Sequence, residues 1–140
     1  MSVGFKSVGV IGATGFIGRA LARHLSSEGF EVVRFSRRPP EGEHWRAIGG
    51  DLDRRGLDAV VNLAGESIAQ RWSRAVWANI HESRVGLTRS IVRAMQQMDT
   101  AERPAVLLNA SAVGIYPPRR IAELREEEEP GSVPLAGPGR

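Results

Sequence analysis

Cysteine is absent from the 140-residue sequence, which excludes disulfides, thiolate nucleophiles and cysteine-based zinc sites. Lysine occurs only once, as Lys6. Because the other cationic side chains are arginines, which stay protonated far above neutral pH, the isoelectric point is about 10.5 although the net charge is only +3. The arginines are scattered among acidic residues, so we expect solvated surface charge and no nucleic-acid partner.

Long apolar runs are also absent. No run approaches the roughly 18 residues that cross a bilayer, and the first residues lead directly into a strand pattern without the layout of a signal peptide. We therefore expect no membrane partner and a cytoplasmic location. Apolar residues make up 41% of the chain and charged residues 25%, a balance typical of one globular domain of this length.

What is present is an alternation of apolar runs and helical patterns. Five runs predict strands, at residues 8–11, 31–35, 44–48, 59–64 and 105–108. After the first strand, a helical pattern places one set of residues on a single face, and Gly29 stands where a C-capping glycine is expected. That set is Phe16, Ile17, Ala20, Leu21, His24 and Leu25. A second amphipathic pattern predicts one long helix over about residues 71–98.

This order of elements predicts an α/β fold, a Rossmann-type doubly wound parallel sheet of about five strands. The character of the sequence changes after Tyr116, where proline, glycine and glutamate predominate. Such a segment buries too little apolar surface to offset its ordering entropy. We therefore predict a dinucleotide-binding domain over residues 1–116 and a disordered tail over residues 117–140.

A glycine-rich segment follows the first strand and opens the first helix, and residues 12–18 are called the glycine loop below. In this context Gly12 permits a sharp turn, Gly15 leaves room for a pyrophosphate, and Gly18 lets the helix pack close to the strand. Thr14, Phe16 and Ile17 complete the predicted cofactor-binding segment, where free N–H groups and the helix dipole favour an anion. The alternative is a glycine turn without a ligand.

The residues after the second strand select the cofactor in this kind of fold. An NAD enzyme usually places Asp or Glu there, whereas this chain has Ser36, Arg37 and Arg38. A guanidinium can bind the adenosine 2′-phosphate in a bidentate manner, so we predict a preference for NADP(H) over NAD(H), with Arg37 as the better candidate because it is nearer to the strand. The alternative is solvated loop charge.

Several further motifs accompany the glycine loop: Asn-Leu-Ala-Gly-Glu-Ser at residues 62–67, Arg-Trp-Ser at 71–73, Ser-Arg-Val at 83–85 and Ser-Ala-Val-Gly at 111–114. Together they resemble the extended short-chain dehydrogenase/reductase superfamily. The resemblance is closest to its epimerase-like subgroup, the NAD-dependent epimerases/dehydratases and sugar-nucleotide epimerase-like oxidoreductases. It covers about residues 7–116.

The resemblance implies roles for individual residues. Asp51 and Leu52 would lie near the adenine. Leu63, Ala64 and Gly65 would border the cofactor, the last two passing under the adenosine ribose. The alternatives are a turn-forming Asp51 and an Ala64 and Gly65 that merely permit close packing. We expect Asn62 to stabilise the loop and not to touch a ligand.

The resemblance also implies a catalytic role for Ser111, whose hydroxyl would bind the substrate carbonyl or alcohol during hydride transfer. The alternative is a serine that only closes a strand and caps the next turn. The superfamily's Tyr-x-x-x-Lys pair, in which the tyrosine exchanges a proton, is not present. The single lysine of this chain, Lys6, precedes the first strand. Its single tyrosine, Tyr116, matches a substrate-loop tyrosine of the family better than the catalytic one.

The C-terminal part of the family fold is also missing from the sequence, so a short gene product, a fragment and a shifted reading frame all remain open. We therefore expect the NADP(H)-binding half of an epimerase-like oxidoreductase that acts on an unknown small molecule, weakly active or inactive as given. The alternative is a non-catalytic module that binds or senses NADP(H).

Overall fold

A computed structural model describes residues 6–37 and 56–111, the backbone of 45–47, and the single residues 4, 116, 125 and 127. Among the predicted site residues, Arg38, Asp51 and Leu52 lie outside the described residues. So does nearly all of the predicted tail, and the expectations for these positions stay predictions.

The described residues form one parallel sheet and three α-helices. The strands are β1 Ser7–Ile11, β2 Glu31–Ser36, β3 Trp45–Ala47, β4 Ala59–Asn62 and β5 Val106–Asn109. The helices are α1 Phe16–Ser27, α2 Arg74–His81 and α3 Leu87–Gln96. The sheet order is β3-β2-β1-β4-β5, and every neighbouring pair is parallel. The predicted Rossmann-type fold is confirmed.

Two separate apolar clusters cover the two faces of this sheet. Because side chains alternate along a strand, Val8 and Val10 of β1 pack with Ala22 of α1, whereas Ile11 packs with Phe35 and Ile91 on the face covered by α3. Each face of the sheet therefore has its own helix, which makes the sheet doubly wound. Both layers are built by alternate residues of the same short strands.

The end of α1 was predicted correctly. Gly29 has a φ of 88°, a left-handed conformation that glycine adopts without steric cost. Its N–H donates to Ser26 O at 3.2 Å, and the N–H of Phe30 donates to Leu25 O at 3.0 Å. This pair of bonds is a Schellman motif, and it turns the chain directly into β2.

The predicted apolar face of α1 is correct only for Leu21 and Leu25, which pack against the sheet, whereas Phe16, Ile17, Ala20 and His24 are exposed. Phe16 is 87% exposed and Ile17 is 64% exposed, while Gly18 and Ala22 are the buried residues of the helix. The contact surface is rotated toward small side chains because the first turn approaches the glycine loop too closely to admit large ones.

The single helix predicted over residues 71–98 is also wrong. Ser73 caps α2, its Oγ accepting from Val76 N at 3.2 Å, and a π-helical turn over Glu82–Gly86 separates α2 from α3. Apolar periodicity does not distinguish a continuous helix from one that contains a wider turn, because the side chains on either side still face the sheet. The fourth strand likewise ends at Asn62, two residues before the predicted end.

Candidate functional site

The carboxyl ends of the parallel strands form one edge of the sheet, where loops from neighbouring strands meet. β1 is followed by α1, which leads to β2 on one side, while β4 lies on the other side of β1. Connections therefore diverge between β1 and β4, and in open α/β sheets such a switch point is where ligands bind.

Gly12 lies at this switch point and joins the loops after β1 and β4. Its φ is 84°, and a Cβ placed on it would approach Ala64 N and Leu63 C at 2.9 Å. A side chain at position 12 would therefore be both strained and in collision with the second loop. Its N–H also donates to Phe35 O of β2 at 3.3 Å. Gly12, which directly follows β1, therefore contacts both the end of β2 and the loop after β4.

The first turn of α1 opens toward solvent at the same edge. Gly15 is the N-cap and makes no side-chain cap, and the first turn contains no acidic residue. The first N–H groups of an α-helix have no partner within the helix, and here no side chain of the described residues caps them. The N–H of Gly15 donates to Gly12 O at 3.0 Å within the loop, whereas Phe16 and Ile17, the first residues of the helix, are exposed. The first turn of the helix therefore lies at the surface, where an anion can approach its N–H groups.

Gly18 has the packing role predicted for it. A Cβ there would collide with Gly12 O and would lie 2.9 Å from Ala13 Cα. At Gly15, by contrast, a Cβ would meet only Gly12 O, at 3.3 Å. The two glycines therefore serve different purposes: Gly18 allows the helix to touch the loop, and Gly15 keeps the outer surface of the loop open.

The end of β2 lies beside this loop through the bond from Gly12 to Phe35. Ser36, the last residue of β2, is buried, whereas Arg37 is exposed. An exposed arginine therefore follows directly after the strand end that Gly12 contacts. Arg38 lies outside the described residues.

A cavity of about 590 Å³ opens at the carboxyl ends of β4 and β5. Its walls come from the β4 loop, from the helical segment above it and from the end of β5. The lining residues are Asn62, Leu63, Ala64, Gly65, Arg84, Val85, Thr88, Arg89, Asn109, Ala110 and Ser111. This set contains two arginines and no carboxylate, so the cavity favours an anionic or neutral polar ligand.

The base of the cavity is a polar network that links β4, β5 and α3. The buried Asn62 donates from Nδ2 to Asn109 Oδ1 at 2.7 Å, and Thr88 Oγ1 donates to the same oxygen at 3.1 Å. Asn62 Oδ1 accepts from Ala64 N at 3.2 Å. Asn62 therefore stabilises the loop after β4, as the sequence suggested, and it also fixes the end of β5 beside Ser111.

The family comparison agrees with this arrangement. The model of the NAD dependent epimerase/dehydratase family matches residues 8–138. The chain belongs to that family. An epimerase family protein of Mycobacterium bovis is 37% identical over 136 residues, a match that covers 92% of this chain and 44% of the relative.

Solved structures of the same kind superpose on the chain. The human epimerase family protein SDR39U1 with NADPH has a TM-score of 0.76 at 29% identity, covering 91% of this chain and 43% of that one. MoeE5 in complex with UDP-glucuronic acid and NAD has a TM-score of 0.69 at 26% identity, with coverage of 89% and 42%. The chain thus spans less than half the length of each of these relatives.

Within the described part of this family member, the predicted residues divide into two groups. The glycine loop lies at the switch point against Leu63 and Ala64. Ser111 lines the neighbouring cavity, whose wall Leu63, Ala64 and Gly65 share. Tyr116 is half-buried and is not among the lining residues. The described residues contain no group of three His, Asp or Glu side chains suited to a metal ion, and none of their helices is long and apolar enough to cross a membrane.

Sequence reasoning missed the polar residues beneath the cavity. Asn109 pairs with Asn62 in the register of the β4–β5 ladder, and Thr88 reaches both from α3. The asparagine pair could have been predicted, because β4 and β5 both end in asparagine. The carboxyl ends of neighbouring parallel strands lie side by side, so the two side chains are expected to be close. Thr88 carries no comparable signal, because its contact depends on where α3 begins.

Proposed function

We propose that this chain binds a nicotinamide dinucleotide, with the pyrophosphate at the first turn of α1, as the cofactor-binding half of an epimerase-like oxidoreductase. The observation that carries the proposal is the uncapped, exposed start of α1, which follows the loop that Gly12 packs against Leu63 and Ala64 at the switch point. Backbone N–H groups and the helix dipole at such a position favour a doubly charged pyrophosphate.

The relatives support this assignment. The human protein was solved with NADPH, and MoeE5 was solved with NAD and UDP-glucuronic acid. In the present chain, the adenosine half would lie over the end of β2, and the nicotinamide half would extend toward the cavity that Ser111 lines. This direction follows from the position of the glycine loop between those two features.

We further propose that NADP(H) is the preferred cofactor. Arg37 is exposed directly after β2, where an NAD enzyme usually has a carboxylate that binds the ribose. Here Arg37 would pair with the 2′-phosphate. A hydrogen bond to a charged group contributes about 1.5–3 kcal/mol, which corresponds to a preference of roughly ten- to a hundredfold.

Calorimetric titration with NADP⁺ and NAD⁺ tests the preference. Arg37→Ala should reduce it toward unity and leave the affinity for NAD⁺ nearly unchanged. Arg23→Ala is the matched control, because Arg23 is an exposed arginine of α1 beyond the first turn and its loss removes the same charge. Equal affinities of the wild type for both cofactors would refute the preference, and the absence of binding to either would refute the proposed function.

The catalytic part of the proposal concerns Ser111. It lies two residues beyond the end of β5 and lines the cavity, so its hydroxyl can hydrogen-bond a substrate carbonyl beside the nicotinamide. The sole lysine, Lys6, precedes β1 and therefore lies at the amino-end edge of the sheet, opposite the cavity. It cannot lower the pKa of a catalytic hydroxyl from that position.

This placement of Lys6 favours a second candidate for the 140-residue chain, a module that binds NADP(H) without turnover. Oxidation of NADPH in the presence of carbonyl compounds, quinones and nucleotide sugars separates the two candidates. We expect cofactor binding with little turnover. Robust turnover that is lost in Tyr116→Phe would exclude the non-catalytic module and would assign proton transfer to Tyr116.

A further inference from the structure

The loop after β4 is held from outside the sheet by the π-helical turn. The N–H of Glu66 donates to Ser83 Oγ at 2.9 Å, and Nη1 of Arg84 donates to the carbonyl of Glu66 at 3.0 Å. Both backbone groups of one loop residue are thereby bound by side chains 17 and 18 residues later in the chain. These two bonds are called the Glu66 anchor below.

The π-helical turn gives the anchor its geometry. Consecutive side chains of a regular α-helix point about 100° apart, so they rarely reach the same partner, whereas π-helical turns change this direction locally. Here Ser83 Oγ also donates to Ile80 O at 2.9 Å, and Nη1 of Arg84 lies 3.4 Å from that carbonyl. The Ser83 hydroxyl therefore accepts from Glu66 and donates to Ile80, and the Arg84 guanidinium donates to the carbonyls of both, so the two side chains join the anchor to the end of α2.

Gly65 completes the contact between loop and helix. A Cβ on Gly65 would lie 3.0 Å from Cζ of Arg84 and 3.1 Å from its Nη2. The guanidinium thus lies directly against the backbone of Gly65. Both residues line the cavity, and Ala64, the preceding residue, contacts Gly12 of the glycine loop. The anchor is one residue away from the surface where the cofactor would lie.

We propose that Ser83 and Arg84 are positioning residues that hold Ala64, Gly65 and Glu66 in the conformation that accepts the dinucleotide. This inference rests on the proposed function. The loop has no secondary structure of its own between β4 and α2. Without the anchor, the conformational entropy lost on ordering the loop would therefore reduce the affinity for the ligand. With the anchor, the loop is ordered before the ligand arrives.

Two observables test the proposal. Hydrogen exchange at the Glu66 amide measures the anchor without any ligand, and the Kd for NADPH measures its consequence. Ser83→Ala removes the acceptor without changing charge, and we expect exchange to be faster by roughly tenfold and binding to be weaker by three- to tenfold. Arg84→Ala should change both observables in the same direction. Arg93→Ala, an exposed arginine of α3, is the control for lost charge and should change neither.

A double-mutant cycle gives the sharpest form of the test. Gly65→Ala should weaken NADPH binding in the wild type because the new methyl group displaces the Arg84 guanidinium. In the Arg84→Ala background that obstacle is absent, so the same substitution should cost severalfold less affinity. Thermal unfolding of each variant shows that the fold is retained.

The outcomes distinguish failure of the proposed function from failure of the positioning role. If the wild type binds no dinucleotide, the proposed function fails, while the exchange data still report on the anchor. If exchange at Glu66 is unchanged in Ser83→Ala, the anchor itself is wrong. If exchange accelerates but the Kd is unchanged, or if Gly65→Ala costs the same in both backgrounds, the anchor is structural and the positioning role is refuted.

Discussion

The two edges of the sheet differ in whether side chains of the protein bind the free backbone N–H groups. At the amino-end edge, one carboxylate oxygen of Asp58 accepts from Lys6 N at 2.7 Å, from Ser7 N at 2.8 Å and from Ser7 Oγ at 3.1 Å. At the carboxyl-end edge, the N–H groups that begin α1 meet no capping side chain. One edge is satisfied internally, and the other leaves donors exposed.

The difference separates stability from function within one small sheet. Unpaired strand and helix ends need hydrogen-bond partners, and at the amino-end edge the chain supplies its own through Asp58. At the carboxyl-end edge glycine occupies the N-cap position, where Ser, Thr, Asp or Asn would bond the free N–H groups. Substitutions at the first edge should therefore change folding, and substitutions on the exposed surface of the second should change binding.

The largest effect should come from Gly15→Val. Its branched side chain would occupy the space in front of the exposed N–H groups, so we expect dinucleotide affinity to fall by a hundredfold or more, about 2.7 kcal/mol. The φ of Gly15 is −73°, which valine can adopt, so the fold should persist. Calorimetric titration together with far-UV circular dichroism measures both quantities.

Gly18→Val is the matched contrast three residues away. Its Cβ would collide with Gly12 O and press on Ala13, so we expect the free energy of unfolding to decrease by about 1–3 kcal/mol as well as a loss of binding. Near wild-type affinity in Gly15→Val would show that the glycine loop is not the phosphate site. Equal loss of stability in both variants would remove the distinction between them.

The next largest effect is a loss of stability expected at the amino-end edge of the sheet. Asp58→Ala deletes the acceptor shared by Lys6 N and Ser7, and because Asp58 is only partly buried we expect a loss of about 1 kcal/mol of stability. The affinity for the dinucleotide should be unchanged, since the strands carry the site at their opposite ends. Urea denaturation and the same titration check the pair of expectations, and weakened binding by a folded variant would show that the edges are coupled.

The sequence predicted the fold and the position of the loop, because both depend on local signals. The apolar runs fixed which segments are strands, and glycine spacing located the start of α1. The close contact predicted at Gly18 is present in the structure. These features need only short-range patterns and the rules for parallel sheets.

The features that were missed depend on contacts between distant segments. The interruption between α2 and α3 leaves the apolar period intact, and its side chains reach back to Glu66, seventeen residues earlier than Ser83. The role of Asp58 likewise requires the register of β4 against β1. No local propensity encodes such pairings, so neither the Glu66 anchor nor the amino-end network could be derived from sequence periodicity.

The smallest expected effect is the pH dependence of stability that Asp58 causes at the amino-end edge. The N–H groups of Ser7 and Lys6 bind the charged form of Asp58 and hold the pKa of its carboxyl below its ordinary value. In the unfolded chain the pKa returns to about 3.9. Between the two values the unfolded chain binds more protons than the folded one, so stability rises with pH in that interval. The contribution is complete above the unfolded pKa and is lost as the pH falls through the folded pKa.

We therefore expect the free energy of unfolding to decrease more steeply in the wild type than in Asp58→Asn as the pH is lowered below about 4. Asparagine is the suitable variant because it keeps an oxygen acceptor of similar shape but cannot titrate. Urea denaturation between pH 7 and pH 3 gives both curves, and they should run parallel above pH 5. Curves that stay parallel to pH 3 would mean that the carboxyl of Asp58 has the same pKa in both states. The amino-end network would then stabilise the fold through neutral contacts alone.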